Sequence, residues 1–285
     1  MQKKRQWLYV QDELKKYLKL EDTLDLAQLK YIAGVDISFH KENLSVACAG
    51  IVIYEVTDFG SSKKMKCIYK HCHYARLNAP FINSFLVFRE YNCFNELFSL
   101  VPKAIFPQLV VFNGEGRFYE RKFGMACQIG VLQDFISIGV STTYSYSSQK
   151  EFNTSPIFKE DSDILKFMFE KNMKKFEYLP IKSSKNETLA NIYLNSEDKN
   201  VPLFVSIGHK ITNERALEFL KYLSTLQKTL DHTDIYKKES PVPILIHHAD
   251  SITRTAINEI DENELLFTSW RAHIKTKILI SHWTF

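Results

Sequence analysis

An α/β fold, built on a mixed sheet with an antiparallel meander joined to parallel strands and flanked by helices, is predicted by three observations. Three β-rich runs follow one another across short polar turns near the start of the chain. A strand, helix, strand succession follows them, the arrangement that parallel pairing requires. Between these runs the apolar spacing changes to threes and fours, the period of a helix with one buried face.

The elements follow in order. Trp7, Val10, Leu14, Tyr17 and Leu18 fall at helical spacing, so residues 6–20 are expected to form an amphipathic helix. Residues 31–39 and 44–56 are strand-like and HKEN between them makes a hairpin; a third strand, 66–74, follows the turn residues Gly60, Ser61 and Ser62. Phe85, Phe88, Cys93, Phe94, Leu97 and Phe98 give a helix over 85–100, which Pro102 and Pro107 close ahead of a buried strand at 108–112. Gly114 and Gly116 punctuate the chain, a helix is expected over 120–133, and 137–141 is a further strand. Residues 143–200 are rich in Ser, Lys, Asn and Asp, with one short apolar helix near 163–176, and are expected to be a surface insertion or flap. PLFVSIGH is strand-like and 212–226 helical. PVPILIHHADSITR is read as an apolar strand-like run followed by a helix that Asp250 opens.

Composition sets outer limits. With 285 residues, 45% hydrophobic and 25% charged, the chain can bury a core and is neither disordered nor collagen-like. A single domain is expected over 1–262, with the insertion at 143–200 and a tail of no evident role at 263–285. Thirty-seven basic against 33 acidic residues leave +4, which permits a basic groove without the charge of a dedicated nucleic-acid-binding domain. Five scattered Cys argue against a secreted disulfide scaffold. No apolar run of membrane-spanning length and no signal-peptide core is present, so a cytoplasmic or nuclear protein, off the membrane and monomeric, is expected.

The most informative residue is Asp36, a carboxylate inside the apolar strand AGVDISF. Burying it is costly unless it is paired, hydrogen-bonded or bound to a cation. A backbone or Arg partner would suffice, and so would convergence with Glu90, Asn113 and Asp250 on hard dications, the arrangement used for phosphodiester hydrolysis. The group Cys67, His71, Cys72 and His73 lies in a strand whose alternate side chains face apart, and no second ligand pair follows, so zinc is not expected. His247 and His248 are read as core or rim histidines and KNMKK, 171–175, as a solvated helix face.

YIAGVDISF, PFINSFLVFRE, VVFNGEG, IGVS, PLFVSIGHKIT and ADSITR resemble, in order and approximate spacing, the blocks of endonuclease V, an RNase H-like nuclease that recognises inosine in nucleic acid. The resemblance covers residues 6–255 and is weakest over 143–200. It implies Mg²⁺ or Mn²⁺ held by Asp36, Glu90 and Asp250, which would also be the catalytic residues, and hydrolysis 3′ to inosine in single-stranded or structured RNA or DNA, RNA being favoured in a eukaryote and a DNA-repair role being open. It also implies substrate contacts from Pro80, Phe81, Ile82, Gly114, Gly116 and His209. The chain departs from the pattern in places. Asn113 stands where the family has a metal-binding Asp, Glu115 where it usually has His, and Thr142 where it has Lys. The wedge segment reads Pro80, Phe81, Ile82, Asn83, Ser84 in place of Pro-Tyr-Ile-Pro-Gly. The loss of one negative charge at Asn113 makes a catalytically impaired binder or scaffold the alternative expectation.

Overall fold

The computed structural model describes residues 2–59, 62–82, 85–196, 201–227, 230 and 241–260. Its centre is an eight-stranded sheet in the order β3-β2-β1-β4-β5-β8-β7-β6. β1 (Tyr31–Phe39), β2 (Val46–Phe59) and β3 (Ser62–Arg76) form the expected meander. β4 (Leu109–Asn113) and β5 (Ile136–Ser141) continue from β1 in parallel, joined by a crossover through α3 (Met125–Gln133).

Helices cover both faces because the central strands are apolar on both sides. Along β1, Ala33 and Val35 pack with Val110, Phe112 and residues of α2 (Leu86–Ser99), while Ile32 packs on the other face with Leu109, Val111 and α7 (Ile244–Glu259). α6 (Asn213–Gln227) shares that second face. α1 (Gln2–Lys15) lies outside the sheet against α2 and α3. Its Trp7 stacks on Phe88 with ring centroids 5.1 Å apart, and Leu14 packs with Phe123 and Cys127.

Several sequence expectations are corrected. The segment 143–200 is not a surface insertion. It holds α4 (Tyr146–Phe152), α5 (Asp161–Glu170) and two strands of the main sheet, β6 (Tyr178–Lys182) and β7 (Thr188–Tyr193), with β8 (Leu203–Ile207) joining them antiparallel to β5. Its own cluster of Phe118, Tyr144, Phe158, Met168, Leu189 and Ile192 is fully closed. The apolar run ILIHH is the first part of α7, so Asp250 sits within that helix and not at its start. Residues 120–122 form a 3-10 turn with Arg121 and Lys122 at positive φ, and α3 begins only at Met125. KNMKK follows α5 as turns. The tail, 263–285, lies outside the described residues. Among the described residues no helix is long and apolar enough to cross a membrane.

Candidate active site

β1 carries Gly34, Asp36 and Ser38 on one face by strand alternation, and α7 runs along that face. Two glycines bring the helix down. A Cβ on Gly34 would stand 2.1 Å from the Leu245 carbonyl oxygen, and one on Gly50, which pairs with Asp36, would stand 2.5 Å from Thr253 Cγ2. The helix backbone therefore meets β1 at Gly34, and the Thr253 side chain seats on β2 at Gly50. One step further on, Asp250 comes close enough for its carboxyl to act on Asp36, and beyond it the Ser38 and Thr253 hydroxyls are 2.9 Å apart. His248 is also turned inward, its Nδ1 2.7 Å from the Tyr54 hydroxyl, a core histidine as expected.

Asn113 ends β4 beside Asp36, because Phe112 pairs with Val35 in the parallel register. Its Nδ2 donates to Asp36 Oδ1 at 3.1 Å. An Asp at this position would set a second anion there. After Asn113 the chain turns at Gly114, whose φ of 153° an L side chain rarely adopts, and lies over Gly139 of β5. The charge of Glu115 acts on Glu90, which α2 brings in from the opposite face of the sheet.

These carboxylates lie in an unfavourable environment. Asp36, only 6% exposed, is pushed up to about 7, first by burial and then by the charge of Asp250, with the Ile37 backbone amide and Asn113 opposing. Glu90, 4% exposed, is pushed up to about 8 by burial, with Arg89 opposing and Asp36 and Glu115 adding. Burial also raises the half-buried Glu115. Among the described residues the cation bonded to this group is Arg254, whose Nε donates to Asp250 Oδ1 at 2.5 Å from a largely exposed side chain.

The substrate-side residues divide. Phe81 is 67% exposed, which removes it from the core, and Pro80 is exposed beside it; Ile82 is half-buried. Asn83 and Ser84 lie outside the described residues. Arg89, one residue before Glu90, donates to the Ala79 carbonyl at 2.6 Å and to the Leu44 carbonyl at 2.5 Å, fixing the 79–82 loop against the β1–β2 turn. Nothing lies within 4 Å of the place a Gly114 Cβ would occupy, so backbone is open to approach there. Gly116 differs: a Cβ would meet the Ile207 carbonyl at 2.2 Å, and its N–H donates to Ser206 Oγ. Its requirement is packing against β8. His209 does not join the site. It is 1% exposed, accepts from the Lys19 backbone N–H at Nδ1, faces Asp134 at Nε2, and its own N–H donates to Ser137 at the start of β5, the end of the sheet away from Asn113. Its strand-terminal Gly-His turn is a packing device. Thr142 is exposed just past the end of β5.

Residues 12–232 match the family model for endonuclease V. The chain belongs to the endonuclease V family. Mouse endonuclease V is 30% identical over 192 residues, 66% of this chain and 52% of the mouse protein; the human protein is 28% identical over 66% of this chain and 63% of its own length. The chain therefore spans between half and two thirds of these mammalian relatives. A solved endonuclease V from Ciona intestinalis, in complex with a DNA containing an inosine followed by a ribo-adenosine, superposes with a TM-score of 0.74 at 27% identity, covering 91% of this chain and 99% of that one. The family match stops short of α7, so the placement of Asp250 comes from the packing of that helix and not from the match.

Magnesium and manganese are hard ions that take oxygen ligands. Asp36 and Asp250 offer carboxylate oxygens and Asn113 an amide oxygen, and the Asp36 carboxyl, raised first by burial and then by the charge of Asp250, would be relieved by a cation. In kind, this donor set fits a hard dication. In number it is thin: among the described residues no three His, Cys, Asp or Glu side chains converge to hold an ion. The charges of Asp36 and Glu115 both act on Glu90, and Asn113 contributes no charge.

Proposed function

We propose that the chain is an inosine-directed nucleic-acid-binding protein of the endonuclease V type with weak, metal-dependent phosphodiesterase activity. The observation that supports this reading best is the buried Asp36 carboxyl, with Asp250 and Asn113 acting on it at the ends of β1 and β4. Burying a carboxyl is costly, and besides its Ile37 and Asn113 donors Asp36 meets a second carboxyl, that of Asp250. Asp36 and Asp250 would hold the ion, with Asn113 as a neutral third donor. When bound, Mg²⁺ or Mn²⁺ supplies Lewis-acid polarisation of a phosphodiester. Phe81 offers a π face for stacking a base, and the open Gly114 backbone lets a strand come close.

Binding without turnover is a second reading, and Asn113 favours it. An amide in place of a carboxylate lowers the charge available to a dication, and Mg²⁺, which gives up water reluctantly, loses more than Mn²⁺. Incubating the protein with labelled inosine-containing RNA and DNA, in Mg²⁺ and in Mn²⁺ and with Asp36→Ala as the blank, tests both readings. Slow cleavage 3′ to inosine, faster in Mn²⁺ and absent in the blank, is expected. Inosine-selective binding without cleavage establishes the second reading, and no preference for inosine in either measurement overturns both.

A further inference from the structure

The turn between β1 and β2 exposes a large apolar side chain, Leu44, at 64% of its surface, yet the turn itself is tightly tied. Asn43 Oδ1 accepts from the Ser45 backbone N–H and hydroxyl, at 3.1 and 2.6 Å. His40 donates to the Val46 carbonyl, Val46 to that of Asn43 and Leu77 to that of Ser45, so Leu44 rides on a stiff support. The Arg89 guanidinium bonds the Leu44 and Ala79 carbonyls together and so sets Leu44 and Phe81, both about two-thirds exposed, on two adjoining segments anchored at one point. The turn follows the end of β1 that carries Asp36, so both apolar side chains stand on the carboxylate side of the molecule.

We infer that Leu44 is a second apolar prong which, with Phe81, contacts and unstacks bases of the bound strand. Leucine and phenylalanine both serve as apolar wedges between base steps, and a wedge must be held rigidly to do so. The inference rests on the proposed nucleic-acid function and adds a residue and an action to it. Arg89 acts here as a positioning residue, since the two carbonyls it binds belong to the two segments that carry the prongs.

A single-stranded RNA carrying one inosine beside 2-aminopurine, a base whose emission rises on unstacking, tests the inference in Mn²⁺ at times before cleavage. The unaltered protein is expected to bind and to raise the emission. Leu44→Ser should lower the emission rise and weaken binding by about threefold to tenfold, the range for losing a partly buried leucine contact. Leu44→Met should restore both, and Leu100→Ser, which removes an exposed leucine from the far end of α2, should change neither. A Leu44→Ser protein that matches the unaltered one in both readouts overturns the inference while leaving the nucleic-acid function standing. An unaltered protein that neither binds nor raises emission overturns that function, and the inference with it.

Discussion

Between about pH 4 and pH 8 the native chain holds protons that its unfolded form has released, because Asp36 and Glu90 sit near 7 and 8 where ordinary carboxyls sit near 4. A carboxyl raised in the native state makes stability fall as pH rises through that window, the reverse of the usual acid denaturation. The melting temperature in EDTA should therefore drop from about pH 5 to about pH 8, and Asp36→Asn should flatten much of the slope; a level profile in the unaltered protein would contradict the burial argument. Asn113→Asp tests the missing ligand with opposite signs. In EDTA the added anion beside Asp36 should lower the melting temperature, whereas in Mn²⁺ it should raise it and increase cleavage by at least about tenfold. If the variant melts identically with and without Mn²⁺, the ion is not held there. Asp36 was legible in the sequence because a charge interrupting an apolar strand has few explanations. Glu115 was not, since its direction depends on a turn at Gly114 that no spacing rule gives.

The pairing of β1 with α7 decides whether Asp36 and Asp250 meet. Gly34→Ala would push a methyl group into the Leu245 backbone, which cannot rotate away as a side chain would. Overpacking of this kind costs about 1 to 3 kcal/mol. Because Asp250 rides on the displaced helix, the variant should also lose any Mn²⁺-dependent rise in melting temperature, and thermal melts with and without the ion check both effects. A variant with unchanged stability and an intact metal response would show that α7 is not seated through this glycine. The elements themselves were readable in the sequence to different degrees. The meander and the β4-α3-β5 crossover announce themselves because their apolar periods are long and cleanly bounded. The strands β6 and β7 do not: each has five or six residues, flanked by Ser, Lys and Asn turns that dominate the local composition. α7 was misread in part because Ile244–His248 is apolar or aromatic at every position, and a short continuous run does not distinguish a strand from a buried helix.

At the scale of the whole molecule, the sheet is assembled from chain segments that are far apart. β1, near the start, is central, and the helix closing its active face begins more than two hundred residues later. Each contact in the glycine seam of Gly34 and Gly50 thus joins residues more than two hundred positions apart, and such contacts are among the slowest to form. A growing polypeptide folds as segments leave the ribosome, so β1 through α6 become available to one another while Asp36 still lacks Asp250. The β1 face stays open until α7 arrives. In the cell this imposes an order: a newly made chain spends most of its synthesis without a completed pair of carboxylates, and the meeting of Asp36 with Asp250 waits for α7.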